Sequence, residues 1–290
     1  MRIAVTGANG YVGSSLVRHL SNEYEVVGIT RKECDLTNSE SVNNFFNHQD
    51  PFDFIIHCAI IGGSREKTDD SSVTHNNLLM FNNLMLLKGT CFTSIINIGS
   101  GAEYDRRYPI SRYEIENNNR LPIDPYGMSK FYINQLIHNT SDAYTLRVFG
   151  IFDENELERR FIKSCLTKYI QGKPILLYKG VEMDFMYMDD FVSMIKMTLN
   201  GKIPSDIKSF DCVYNSNESI RELENIVQTY MNETLDGVTI PIEHVEEFKP
   251  SFNKSYLGVP PIWMDQNGLV GLREGIKRTY EKMKVDYEQK

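Results

Sequence analysis

The chain is short of the residues that would tie it to metals, membranes or nucleic acid. Its 290 residues hold five cysteines, Cys34, Cys58, Cys91, Cys165 and Cys212, an odd number at wide spacings with no C-x-x-C pair. That pattern excludes a disulfide framework and a zinc ribbon, and predicts reduced thiols in a cytoplasmic setting with no metal site. No run of eighteen apolar residues exists, so no membrane span is expected. The opening run RIAVTG is too brief for a signal peptide. Basic residues are outnumbered, 31 Lys and Arg against 39 Asp and Glu for a net charge of -8, which argues against a nucleic-acid-binding face.

What is present is alternation. Short apolar runs at 2–7, 25–30, 52–59, 93–100 and 143–150 read as strands, separated by amphipathic stretches near 11–21, 39–48, 72–88 and 126–139. Strands divided by helix-length segments predict right-handed crossovers and a parallel sheet. The runs IIHCA and IINI lack polar alternation, as buried parallel strands do. The fold class expected is α/β, a Rossmann-type doubly wound parallel sheet. After Gly150 the texture changes: a helix at 156–171, the short strand ILLY, the run FMYMDDFVSMIKMTLNG, a helix at 220–231 and a last one in GLREGIKRTYEKMK. These predict a dinucleotide-binding domain over 1–150, with a returning segment near 184–215, and a smaller α+β substrate lobe over 151–290. The Asn-rich ENNNRLPIDP at 116–125 reads as a loop.

The first strand exits into Gly7-x-x-Gly10-x-x-Gly13. Glycine suits a turn there because a Cβ would block a close approach to a pyrophosphate. The following helix, opening at Tyr11 and Val12, offers that anion its N–H groups and the positive end of its dipole. At the end of the second strand, NAD-binding chains commonly carry an Asp or Glu for the ribose 2′-hydroxyl. Thr30 stands in that place, and Arg31 and Lys32 follow. Cations there suit a 2′-phosphate, so NADP(H) is favoured over NAD(H). The plainer reading is that both sit on a solvated loop.

The stretch RLPIDPYGMSK contains Tyr126-x-x-x-Lys130. With TGANGYVG, CDLTN, NIGSGAEYD, LRVFG, FMYMDDFV and GLREGIKRT in that order, the chain resembles the extended branch of the short-chain dehydrogenase/reductases, the NAD-dependent epimerase/dehydratase family. On a helix, i and i+4 share a face, so Lys130 lies beside Tyr126. A phenol titrates near pH 10, at about that value in model compounds, and a neighbouring ammonium favours its ionised form. The resemblance implies that Tyr126 exchanges a proton with substrate, that Ser100 hydrogen-bonds the same oxygen, and that Lys130 also holds the nicotinamide ribose. It further implies adenine contacts at Asp35 and Leu36, a close cofactor passage at Ala59, and a relay-organising Asn77, with Asn76 as the alternative. A turn and helix entry at DLTNSE explains Asp35 almost as well. His57, in an apolar strand, reads as a satisfied core histidine. Asp189 and Asp190 read as a strand end and helix N-cap rather than a catalytic pair.

Departures from the family patterns narrow the reaction. Dehydratases place Asp-Glu after the active-site Ser or Thr, where this chain has Gly101 and Ala102. The epimerising reductases use a Cys at the place of Ala102 and a His near Arg159 and Arg160. What remains is simple reduction, a hydride from NADPH and a proton from Tyr126, and the resemblance implies a nucleotide-diphosphate 4-keto-6-deoxy sugar as the substrate, reduced to the corresponding deoxysugar. Substrate contacts are expected at Ala102, Phe149, Arg160 and Lys179. Met183 stands where relatives carry a phosphate-gripping Arg, for which Lys179, Arg159, Arg160 or Lys163 could substitute. Two alternatives stand: a nucleotide-sugar epimerase using bound NAD, and a non-catalytic NADP-binding regulatory protein. The resemblance also implies a homodimer through the helices at 72–88 and 126–139.

Overall fold

A computed structural model of the protein describes residues 1–63, 68–110, 120–215, 221–245 and 254–289. The Asn-rich residues 116–119 and the first residue of the helix expected at 220–231 lie outside the described residues. The chain divides into two units. The first comprises Met1–Asp105, Tyr113–Val148 and Lys196–Phe210, the second Arg106–Arg112, Phe149–Ile195 and Asp211–Lys290.

The first unit is built on strands β1 (Arg2–Thr6), β2 (Glu25–Ile29), β3 (Phe52–His57), β4 (Phe92–Ser100) and β5 (Ala143–Val148). All pair in parallel, in the order β2-β1-β3-β4-β5, and the short strand Ser209–Asp211 lies outside β5. β4 is buried along almost its whole length, which is why its sequence shows no polar alternation. The order reverses at β1: β2 lies to one side and β3 to the other. With right-handed crossovers, that reversal sends successive helices to opposite faces and opens a crevice at the strand ends between β1 and β3. The expected doubly wound α/β sheet is the observed one.

The helices are α1 (Tyr11–Leu20), α2 (Ser39–Asn47), α3 (Ser71–Met85) and α4 (Pro125–His138). Each of the last three starts on a side-chain cap. Asn38 accepts from Ser41 N–H, Asp70 from Ser72 N–H, and Asp124 from Gly127 N–H, with Pro125 at the first helical position. Phe46, Phe52, Ile55, Phe81, Leu84, Ile95, Ile133 and Ile137 fill the core that these helices share with β3 and β4. Burying each such side chain contributes on the order of 2 kcal/mol.

In the second unit, Ile151–Phe152 pairs with Met186–Tyr187, Ile175–Tyr178 with Ile242–Val245, and Glu182–Met183 with Ser255–Tyr256, all in parallel. Helix α5 (Phe161–Ile170) begins five residues later than expected, because Asp153 accepts the Asn155 N–H and residues 153–160 are spent in turns. The helix expected at 220–231 is one α-turn, Leu223–Asn225, running into a π-helical stretch, Ile226–Asn232. Helix α6 (Met188–Leu199) follows strand Met186–Tyr187, and α7 (Leu272–Glu288) ends the described chain. Asp190 is structural, as expected, but not as the N-cap of its own helix. Buried in the first turn of α6, it accepts Val270 N–H at 2.7 Å, Gly271 N–H at 3.0 Å and the Tyr214 hydroxyl, so it fixes the start of α7. Spacing along one helix could not show an acceptor serving another.

Two glycines of the first turn are required by contact. Gly7 has φ +66°, and a Cβ there would lie 2.8 Å from Ala59 N. A Cβ on Gly13 would overlap the Gly7 carbonyl, 2.8 Å from its carbon. Gly13→Ala is therefore expected to lower the unfolding free energy by about 1–3 kcal/mol through overpacking, read as a lower denaturation midpoint at unchanged slope. Gly268→Ala, with open space around it, is the near-neutral control.

Candidate active site

The crevice at the switch of strand order begins with Thr6, the last residue of β1. Its buried Oγ accepts Cys58 N–H at 3.1 Å and Ala59 N–H at 3.2 Å, and lies 2.9 Å from His57 Nδ1. These bonds draw the exit of β3 against the exit of β1, and the missing Cβ of Gly7 lets the two backbones touch. His57 is a satisfied core histidine, and burial holds its pKa down to about 3. Helix α1 then starts at Tyr11 with Gly10 as its N-cap. No side chain caps it, and its first turn carries no acid. Gly10, Tyr11, Val12 and Gly13 thus present a helix N-terminus whose first N–H groups are suited to an anion.

The end of β2 holds a finding that the sequence reading missed. Position 30 is Thr, but the Glu33 carboxylate folds back onto it, accepting Thr30 N–H at 2.8 Å and the Thr30 hydroxyl. An acid therefore does stand at the strand end, supplied from three residues downstream, and those two bonds hold its pKa low. Arg31 is exposed and reaches the Asp35 carboxylate at 3.3 Å, while Lys32 is exposed. Asp35 also accepts from the Thr37 N–H and hydroxyl, the turn-forming role. The Leu36 side chain lies in the core, and its carbonyl accepts from Asn83. Ala59 lies against Gly7.

Ser100 ends β4 and caps a 3-10 turn, Gly101–Glu103. Its Oγ accepts Ala102 N–H at 3.1 Å, and Glu103 Oε1 accepts Ser100 N–H at 3.2 Å. Glu103 is 3% exposed and pairs with Arg147 of β5, also 3% exposed at its side chain, at 3.5 Å. Gly99 makes room for the pair: a Cβ there would overlap Glu103 Oε1 and lie 3.1 Å from Arg147 Cγ. Lys130, 4% exposed, donates to the Ile98 carbonyl at 2.5 Å and so ties α4 to β4. Burial pulls the Lys130 ammonium down to about 8, against the raising effects of Glu103 and then Cys58. The start of α4 sits on the same turn, since a Cβ on Gly127 would overlap the Ala102 carbonyl. The Tyr126 ring packs on Gly63, where a Cβ would come within 2.8 Å of it.

Asn77, not Asn76, is the buried member of its pair. It accepts Ile61 N–H and donates to the Ile61 carbonyl, both at 2.9 Å, and donates to Ser129 Oγ at 3.0 Å. It thereby holds α3, the loop after β3 and α4 in one register. Glu103 and Arg147 were not foreseen, although Ser100-x-x-Glu103 carries the capping-box pattern at sequence level. Of the expected substrate contacts, Ala102 is buried in the first unit. The other three lie in the second: Phe149 is buried, with its ring centroid 4.9 Å from that of Tyr256, Arg160 caps α5, and Lys179 lies exposed in a turn. Arg221 stands beside Met183, whose N–H it accepts through its carbonyl, and its guanidinium lies 2.9 Å from Asp184. Among the described residues, no cluster of His, Cys, Asp or Glu could hold a metal, and no helix is long and apolar enough to cross a membrane.

The family model described as NAD dependent epimerase/dehydratase family matches residues 3–207. A GDP-L-colitose synthase of Yersinia pseudotuberculosis is 27% identical over 239 residues, covering 71% of this chain and 75% of that protein. Among solved structures, a dTDP-4-dehydrorhamnose reductase of Clostridium acetobutylicum superposes with a TM-score of 0.75 at 18% identity, covering 100% of both chains. A GDP-mannoheptose C4 reductase of Campylobacter jejuni with NADP bound gives a TM-score of 0.77 at 16% identity, covering 98% of both.

The buried histidine yields a pH prediction. Its folded pKa, about 3, lies below the ordinary 6.5. Between those values the unfolded chain binds a proton that the native chain does not, so stability falls as pH drops through the window, by up to about 1.4 kcal/mol per pH unit. His57→Gln is expected to flatten this limb, checked by urea midpoints measured across the same window.

Proposed function

The chain belongs to the NAD dependent epimerase/dehydratase family and is an enzyme of the NAD(P)-dependent oxidoreductase type, and from that premise we propose that it reduces a nucleotide-diphosphate 4-keto-6-deoxy sugar to the corresponding deoxysugar. The observation that supports the reading is that Ser100 ends β4 and caps its 3-10 turn, that Lys130 donates to the Ile98 carbonyl of the same strand, and that the start of α4, which carries Tyr126, packs on that turn at Gly127. The residues fit a dinucleotide: Gly7, Gly10 and Gly13 leave its backbone approach clear, α1 faces its pyrophosphate, and Ala59, Asp35, Leu36 and Asn77 line or brace the remaining contacts. Bound there, the dinucleotide supplies a hydride. The chain supplies the proton. Tyr126 gives it from Oη to the substrate oxygen, and the Lys130 ammonium favours the phenolate that is left. Ser100, at the end of β4, hydrogen-bonds the same substrate oxygen in this reading.

Support for reduction over dehydration comes from Gly101 and Ala102, which carry no acid or base. The acid that follows, Glu103, is turned inward onto Ser100 N–H and Arg147. A nucleotide-sugar class of substrate is supported by the colitose synthase and the sugar reductases to which the chain is similar. Phe149, Arg160 and Lys179 are proposed as substrate contacts, and a cytoplasmic homodimer is part of the proposal.

NADPH is proposed as reductant because Arg31 and Lys32 are exposed at the end of β2. The Glu33 carboxylate at the same strand end favours a second reading, NADH, since an acid accepts from a ribose 2′-hydroxyl and repels a 2′-phosphate. Arg31→Ala is expected to cost about tenfold in kcat/KM for NADPH and little for NADH. Loss of NADH use in Glu33→Gln, with Arg31→Ala silent, would establish the second reading. The reaction itself is tested with a panel of nucleotide-linked 4-keto sugars, following stoichiometric loss of reduced nicotinamide and identifying the product. Tyr126→Phe is expected to lower kcat by at least about a hundredfold. Product without net loss of reduced cofactor would mark an epimerase instead.

A further inference from the structure

The roles assigned to Ser100, Tyr126 and Lys130 leave the buried Glu103 and Arg147 beside them without a task. β4 ends between two cations and one carboxylate, all nearly inaccessible: Lys130 at 4% exposed, Arg147 at 2% and Glu103 at 3%. Burying an ion pair seldom adds stability, because desolvation offsets the attraction. A buried carboxylate under a reactive turn therefore calls for a reason besides folding.

Geometry supplies one. Along a strand, residues two apart present their backbone groups to the same edge. The Ile98 carbonyl and the Ser100 N–H are such a pair, and they are taken by Lys130 Nζ at 2.5 Å and Glu103 Oε1 at 3.2 Å. The ammonium and the carboxylate thus dock on neighbouring backbone groups of one strand end. Glu103 is held there from three directions: by Ser100 N–H, by Arg147 at 3.5 Å, and by the absence of a side chain on Gly99.

Two of the other groups bearing on Lys130, at and just past the end of β3, are uncharged near neutral pH. From β3, His57 is kept neutral, and the Cys58 thiol is raised to about 12. Arg147, on β5, is matched by Glu103 itself. Among the described residues, Glu103 is the anion that acts on Lys130.

We propose that Glu103 is a positioning residue of this site: its carboxylate keeps the buried Lys130 side chain charged beside Tyr126 while fixing the Ser100 turn. The proposal rests on the reductase reading for what the charge is used for, but not for its existence. Glu103→Gln separates the two tasks, because the amide oxygen still accepts from Ser100 N–H while the charge is gone.

The test reads Lys130 directly. In apo protein carrying lysine labelled with carbon-13 at Cε, the Lys130 resonance is assigned by its loss in Lys130→Met and titrated in wild type and Glu103→Gln. The expected result is a wild-type midpoint near 8 and a variant midpoint lower by about one pH unit or more. If Glu103→Gln does not fold, the double variant Glu103→Gln with Arg147→Met, which leaves no unpaired buried guanidinium, carries the same expectation. In turnover, kcat in the folded variant is expected to fall about tenfold, with its alkaline limb moved to lower pH and KM within about twofold. Glu103→Asp is expected to restore part of the shift.

A Lys130 midpoint unchanged from wild type in the folded variant overturns the role of Glu103, whatever the enzyme reduces. A shifted midpoint in a protein that turns over no 4-keto sugar overturns the reaction assigned above and leaves Glu103 as the residue that sets the charge of Lys130.

Discussion

Everything at the switch of strand order depends on two backbones touching where side chains are missing. Gly7 lies against Ala59, and Gly13 lies on the Gly7 carbonyl, so the exits of β1 and β3 and the start of α1 meet at one point. Thr6 fastens that meeting with two accepted N–H bonds. If it opened by the width of a methyl group, the α1 N-terminus would no longer face the crevice. The loop after β3, which carries the Gly63 seat of the Tyr126 ring, would move with it. The proposed cofactor cradle and the proposed proton donor are therefore set by the same contact, although more than a hundred residues separate Gly7 from Tyr126.

From that point the register passes through polar side chains used as struts. Asn77 binds both backbone groups of Ile61 and the Ser129 hydroxyl, so α3 and α4 cannot slide independently. Lys130 then binds α4 to the end of β4, and the Gly127–Ala102 approach closes the circuit on the Ser100 turn. Apolar packing alone tolerates small shifts, whereas a buried polar strut that loses its partner leaves an unmet hydrogen bond at a cost of about 1–3 kcal/mol. Such struts suit a site in which a proton and a hydride must reach one carbon–oxygen bond.

Much of this was legible in the sequence. The five principal strands and four helices of the first unit fall within a few residues of their expected limits, because period, length and turn residues agree there. Gly7, Ser100, Tyr126 and Lys130 could be named because each sits at a strand exit or helix start. What escaped shares one physical property: it depends on partners distant in sequence, or on a side chain that folds back. Glu33 supplies an acid to a strand end that looks acid-free, Asp190 serves the helix starting at residue 272, and Glu103 finds Arg147 on the neighbouring strand, more than forty residues on. Met183 looks like a lost cation, yet Arg221 lies beside it on another segment, engaged with Asp184.

The Glu33 and Glu103 carboxylates show why residue type near a motif is a weak guide to chemistry. Each accepts the N–H of the residue three before it, Thr30 just past β2 and Ser100 at the end of β4. Glu33 is exposed, so water screens it and its effect is confined to what approaches within a few ångströms. Glu103 is buried with two cations, in surroundings where one charge changes the protonation of its neighbours. Under the proposed roles, the same local device selects at one strand end and tunes at the other. The difference is solvent access, which the depth of each strand end in the sheet decides: β2 is an edge strand and β4 lies inside.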